Sequence, residues 1–223
     1  MFNVTRAVQE PACLKSKVLN EEKLLKELES MFFGKCYLCE QTSLNDPQVE
    51  HFIPHENNVT LKYKWDNLFY ACSRCNSIKS NTHTDLVNCC DASVNVFAEL
   101  KHSAYECYEG IIKVSAVADN PSKEITNTVK LLKECFNSKN TGHRGISREN
   151  LLEKIQEYDA QFKMHRIVLM TKTSTDSEVK GALEKLEVMC RVNFPFSVFW
   201  KWHVIGDITL NKRYKNIRQL LKF

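Results

Sequence analysis

The 223-residue chain has no run of apolar residues approaching the roughly 20 that a membrane-spanning helix requires. Its opening residues, MFNVTRAVQEPACLK, lack the apolar stretch of a secretory signal. Nowhere does GxxxxGK followed by Ser or Thr occur, so the chain has no phosphate-binding loop of its own for ATP or GTP. Internal repeats and low-complexity tracts are also missing, which argues against a solenoid or a disordered linker protein. These absences point to a cytoplasmic globular protein without membrane contact. A hydrophobic fraction of 43% is enough to bury a real core.

What the chain does have is cysteine, ten residues in all. In a reducing compartment these are thiols or metal ligands rather than disulfides. Two Cys-x-x-Cys pairs stand out, Cys36/Cys39 and Cys72/Cys75. Two-residue spacing supplies the tight backbone turn that a tetrahedral four-thiolate zinc site needs at each pair. The other cysteines, Cys13, Cys89, Cys90, Cys107, Cys135 and Cys190, read as small buried hydrophobes.

Periodicity divides the chain into an N-terminal segment with one helix (1–34), a compact unit (35–85) and a mixed hairpin and helical region (86–223). Asn20 is placed to cap the first helix, whose apolar face is Leu24, Leu25, Leu28, Met31 and Phe32, with Gly34 at its end. Gln48 to Ile53 reads as a strand stopped by Pro54, residues 56–63 as polar loop, and 66–71 as a short apolar segment leading to a helix from Cys75. Tyr105–Cys107 and Ile111–Val114 flank a Glu-Gly turn and predict a hairpin. Pro121 predicts the first turn of a helix to about Phe136, and Ser147 caps a long helix bearing Leu151, Leu152, Ile155, Tyr158 and Phe162. A further helix spans about 177–190, and a last helical region runs through Trp200 and Trp202. The class is α+β, with a zinc-stapled unit and a mostly helical C-terminal region.

A zinc site explains the cysteines but not the residues between them. Glu50-His51 on an apolar strand and Asn76 directly behind the last ligand are unnecessary for a structural metal. Neutral imidazole takes a proton from water near physiological pH, and hard oxygen ligands such as Glu50 and Asn76 suit a hydrated divalent cation. In an ideal strand, however, Glu50 and His51 point to opposite faces, so sharing one pocket calls for a twist or bulge.

The segments CYLCE, VEHFIPH and WDNLFYACSRCNSIK together resemble the HNH, or ββα-metal (His-Me finger), endonucleases. Seven separate positions coincide with that pattern over about a fifth of the chain. The wording EHF, with YKWDNL before the second pair, is similar to the HNH components of anti-phage systems encoded beside ATPases, such as the Septu component PtuB and retron-associated relatives. The resemblance implies a ββα-metal core in which His51 is the general base and Glu50 and Asn76 hold catalytic Mg²⁺ or Mn²⁺. It further implies that Asn67 positions the His51 strand, that Cys36, Cys39, Cys72 and Cys75 hold structural Zn²⁺, and that control comes from a partner ATPase of the Septu PtuA type. Glu50 stands where the family more often has Asp, one methylene shorter.

Residues 81–120 carry six acidic and two basic side chains, whereas 121–223 carry nineteen basic and eleven acidic. A basic C-terminal half suits a polyanionic partner. Lys79, His55, Arg144 and Arg148 are the expected nucleic-acid contacts. DNA is the favoured substrate. RNA such as tRNA is the alternative within the same chemistry, and a non-catalytic zinc-ribbon adaptor is the alternative outside it.

Overall fold

The computed structural model describes residues 1–15, 21–139 and 147–223. A single turn, α1 (Ala12–Lys15), precedes α2 (Glu21–Met31). Leu24 and Leu28, one turn apart, are fully buried, and Phe32 extends the stripe. The helix closes with the Gly34 N–H on the Glu29 carbonyl at 2.7 Å and the Phe33 N–H on the Ser30 carbonyl at 3.3 Å. That is a Schellman closure. Phe33 (φ 57°) takes the left-handed conformation as well as the expected Gly34 (φ 66°). Asn20, the expected cap, lies outside the described residues.

The compact unit follows: β1 (Pro47–His51), α3 (Val59–Lys62), β2 (Leu68–Cys72) and α4 (Ser73–Lys79). Strands β1 and β2 pair antiparallel in the register Pro47↔Cys72 through His51↔Leu68. The strand is shorter than the expected 48–53, because beyond His51 the chain leaves the sheet to be held by Asn67. The region expected to be loop contains α3, since Asn58 Oδ1 accepts from the Thr60 and Leu61 N–H groups and caps a turn there.

A one-turn helix, α5 (Val96–Glu99), leads into a second antiparallel pair, β3 (Leu100–Ser103) and β4 (Lys113–Ala116). The hairpin exists, but its first strand lies earlier than Tyr105–Cys107. Those residues instead enter a tight helical turn, Cys107–Glu109, closed by left-handed Gly110. Helix α6 (Lys123–Asn137) packs against the hairpin. Its cap is Ser122, whose hydroxyl accepts from Ile125 N–H, so Pro121 precedes the helix rather than opening it.

The remainder is helical: α7 (Arg148–Met170), α8 (Asp176–Cys190), α9 (Ser197–Gly206), and the short α10 (Ile208–Arg213) and α11 (Ile217–Leu220). Ser147 caps α7 through Asn150 N–H, and Thr175 with Glu178 forms a capping box on α8. Leu151, Leu152, Ile155 and Phe162 are buried on α7, as are Phe199 and Trp200 on α9.

The zinc-type turn is welded to this helical part by a buried ion network. Lys35 Nζ donates to Glu40 Oε2 at 2.8 Å, to the Val192 carbonyl at 2.9 Å and to Ser197 Oγ at 3.1 Å. Burial alone would raise the Glu40 carboxyl, but Lys35 and the Met1 ammonium, 3.0 Å away, hold it well below its ordinary value. One apolar core runs through the described residues from Met1 to Leu221.

Candidate active site and zinc centre

The four cysteines meet where the first turn of the chain's compact unit touches the start of α4. One sulfur position from each of Cys36, Cys39, Cys72 and Cys75 lies within 4.8 Å of all the others, and all four residues are buried. Cys39 Sγ and Cys72 Sγ are 3.9 Å apart. Zn–S bonds of about 2.3 Å place tetrahedral sulfurs slightly under 4 Å from one another, so the cluster fits zinc. The local geometry follows from the spacing. Glu40, at φ 61°, returns its N–H to the Cys36 carbonyl at 2.9 Å, and Cys72 sits as the N-cap of α4 with its sulfur accepting from Cys75 N–H. Zinc held by these four thiolates would supply folding energy rather than chemistry.

His51 ends β1, half-buried, with its ring held from one side. Its Nε2 is 3.0 Å from the Lys62 carbonyl. A carbonyl only accepts, so Nε2 carries the hydrogen and Nδ1 keeps its lone pair. Burial lowers the His51 pKa from its ordinary value, against a smaller opposing effect of the Lys62 carbonyl. The imidazole is therefore neutral at pH 7, with a bare nitrogen.

Asn67 is 3% exposed and spends its whole carboxamide on the segment beyond His51. Its Oδ1 accepts from Ile53 N–H at 2.7 Å, and its Nδ2 donates to the Ile53 carbonyl at 2.8 Å and the Leu61 carbonyl at 3.1 Å. The Asn67 carbonyl also accepts from Phe52 N–H. It thus pins both ends of the 53–61 loop, directly behind the histidine.

Glu50 points the other way. The β1–β2 register runs regularly through residues 47–51, and Glu50 lies at 2% exposure against α4. Lys79 Nζ is 2.6 Å from its Oε1, and Tyr37 Oη donates to its Oε2 at 2.9 Å. Burial raises the Glu50 carboxyl from its ordinary value, more than Lys79 and Tyr37 lower it. Asn76, on the same side of α4 as Lys79, is half-buried, and its Nδ2 donates to Gln48 Oε1 at 2.8 Å. Glu50 and Asn76 therefore do not form a cation seat as arranged, because an ammonium already occupies the cation position at Glu50.

Two expected phosphate contacts are also placed elsewhere. Lys79 is fully buried, its ammonium shared between Glu50 and the His51 carbonyl at 3.0 Å. Arg148 turns inward: its Nη2 bonds the Gly110 carbonyl, and its side chain is 15% exposed. A Cβ at Gly110 would meet that guanidinium at 3.1 Å, which together with φ 78° explains the glycine. Arg144 lies outside the described residues. His55, by contrast, stands beside His51, the two ring centroids 4.6 Å apart and edge to face.

The role of Arg6 in the N-terminal segment escaped sequence reasoning. Arg6 donates to the Trp65 carbonyl at 2.8 Å and the Leu68 carbonyl at 3.1 Å, and its guanidinium lies over the Trp65 and Phe69 rings. It thus ties the chain on either side of Asn67, at residues 65 and 68, to the N-terminal segment. No periodicity signals such a contact across 60 residues.

The hairpin, α4 and a four-cysteine cluster that fits zinc surround His51. Residues 36–82 match the family model of the HNH endonucleases, which supports an HNH nuclease domain in this part of the chain. No curated protein and no solved structure matches the chain. Among the described residues, no helix is long and apolar enough to cross a membrane.

Proposed function

We propose that this protein is an HNH endonuclease that hydrolyses phosphodiester bonds of nucleic acid, with DNA the favoured substrate. The observation that carries the reading is His51, a half-buried neutral imidazole whose Nε2–H is committed to Lys62 and whose bare Nδ1 is the proton acceptor. As general base His51 takes a proton from water, the resulting hydroxide oxygen bonds phosphorus, and the bond to the leaving oxygen breaks. Asn67 acts as the positioning residue, because it fixes the backbone through which the histidine and its Lys62 partner face each other. HNH nucleases use divalent metals, and Mg²⁺ or Mn²⁺ is the proposed cofactor. Asn76 is the half-buried oxygen donor left for it, and Glu50 is not assigned to it.

The resemblance of the EHF and YKWDNL segments to anti-phage HNH components supports a defence role under a partner ATPase. In this reading the energy-dependent control lies with that partner ATPase. The test offers plasmid DNA and bulk tRNA side by side with Mg²⁺ or Mn²⁺, with and without the product of the neighbouring gene. Cleavage of one substrate that disappears in His51→Ala supports the reading and identifies the substrate. A folded, zinc-loaded His51→Ala protein that cuts at the wild-type rate overturns it.

A further inference from the structure

Beside His51 stands a second imidazole that the reading above leaves without a task, and the chain goes to some cost to place it. Residues 55–58 form a tight turn in which Asn58 N–H bonds the His55 carbonyl at 2.6 Å. The two central residues, Glu56 (φ 43°) and Asn57 (φ 67°), are both left-handed without being glycine. Left-handed backbone costs a residue with a Cβ roughly 1–2 kcal/mol, and Glu lacks the short side chain that eases it for Asn. That turn lays the His55 ring edge to face against His51 and brings Asn57 N–H to its Nδ1 at 3.2 Å. An N–H only donates, so Nδ1 of His55 is the acceptor and its hydrogen sits on Nε2.

The paired rings are therefore opposites. His51 has Nε2 tied to a carbonyl and a bare Nδ1, whereas His55 has Nδ1 tied to an amide and an N–H at Nε2. One presents a lone pair and the other a hydrogen, and each tautomer is fixed by the backbone.

We propose that His55 is a second catalytic residue of the nuclease, a neutral donor whose Nε2–H bonds a non-bridging oxygen of the phosphodiester under attack. This rests on the reading of His51 as base. The water proton goes to His51 Nδ1, the water oxygen bonds phosphorus, the bond to the leaving 3′-oxygen breaks, and that oxygen is reprotonated from solvent. His55 keeps its hydrogen throughout and stabilises the charge that gathers on the phosphoryl oxygens in the transition state.

The experiment compares wild type, His51→Ala, His55→Ala, His55→Gln and His55→Asn on the cleaved substrate, with zinc content and thermal unfolding as controls. The glutamine amide reaches the position of Nε2, whereas that of asparagine reaches only Nδ1. The expected result is a fall in kcat of about 100-fold for His55→Ala with KM little changed, as for loss of one preorganised donor. His55→Gln should recover most of the rate and His55→Asn should not. His55→Ala cutting at the wild-type rate while His51→Ala is inactive overturns the role of His55 and leaves the nuclease reading standing. Equal losses in His55→Ala and His55→Gln, both folded and zinc-loaded, overturn the donor assignment. If His55→Ala does not fold, the Gln and Asn pair decides by the same criterion. His51→Ala at the wild-type rate, or no cleavage by the wild type, removes the nuclease reading and this proposal with it.

Discussion

The ammonium of Lys79 lies 2.6 Å from the carboxylate of Glu50, and neither side chain is more than 2% exposed. The pair joins α4 to the β1 strand at the point where His51 leaves the sheet, and Lys79 reaches on to the His51 carbonyl. It is therefore a structural strut behind the candidate base. Charges buried this deeply are tolerated only in each other's company.

Lys79→Met follows directly from that geometry. It leaves Glu50 buried with Tyr37 as its remaining partner, and the expected loss of stability is about 3–5 kcal/mol. The double variant Lys79→Met with Glu50→Gln should recover part of the loss, because no uncompensated charge remains. Denaturant unfolding of the two variants and of Glu50→Gln alone closes the cycle, and a Lys79→Met protein as stable as wild type would show that the pair contributes nothing.

Asn67→Ala strips three hydrogen bonds that hold the 53–61 loop and leaves the Ile53 N–H and carbonyl without their side-chain partner, while the Leu61 carbonyl keeps the Lys64 N–H. Each such group costs on the order of 1–3 kcal/mol. Activity should fall with it even where zinc stays bound, since the Lys62 carbonyl that sets the His51 tautomer directly follows the residue Asn67 holds at Leu61. Asn67→Asp keeps the acceptor to Ile53 N–H and loses both donors, so its stability should lie nearer to that of Ala than to wild type. Melting curves recorded with zinc quantitation check both points.

Zinc removal should unfold the compact unit rather than merely inactivate it. Ligation is folding energy where the sulfurs come from separate elements, and here they come from the 36–39 turn and from the β2–α4 junction. A thiol-competing chelator, or Cys72→Ser, is expected to abolish the protected amides of residues 36–82 in hydrogen exchange while α7 and α8 keep theirs longer.

His203 makes acid stability measurable. It is buried, its Nε2 accepts from Ala104 N–H at 3.2 Å, and burial with the nearby Lys163 charge lowers its pKa to about 4. An unfolded histidine titrates near 6.5. As pH falls through 6.5 the unfolded chain takes up the proton first, so this group's share of stability declines between about 6.5 and about 4 and is constant below. The full decline is about 3 kcal/mol. His203→Gln keeps an acceptor for Ala104 without the titration, and the pH slope of its unfolding free energy should be shallower than that of wild type over this window.

Much of the molecule is written locally. The spacing of the cysteines determines that they meet, because two-residue turns aim both sulfurs of a pair the same way. The apolar stripe of α2 and the caps Ser147 and Asn58 are short-range facts, since a helix's period and its first free N–H groups involve only neighbours. Where short-range signals competed, as in the hairpin, the strand went to Leu100–Ser103, whose Leu100 and His102 are buried, and not to Tyr105–Cys107, whose Tyr105 is exposed.

The chemistry of the individual polar groups was decided only by tertiary structure. Sequence alone presents Glu50, Lys79 and Arg148 as a metal ligand and two phosphate contacts. Packing turns each inward, because Tyr37, α4 and the Gly110 turn arrive from distant parts of the chain and satisfy them there. The histidines illustrate the same division. Their place beside an acidic residue and a proline is plain in the sequence, but which nitrogen of His51 and His55 is bare depends on the Lys62 carbonyl and the Asn57 amide, and a tautomer is set only by the group that the fold brings to face it.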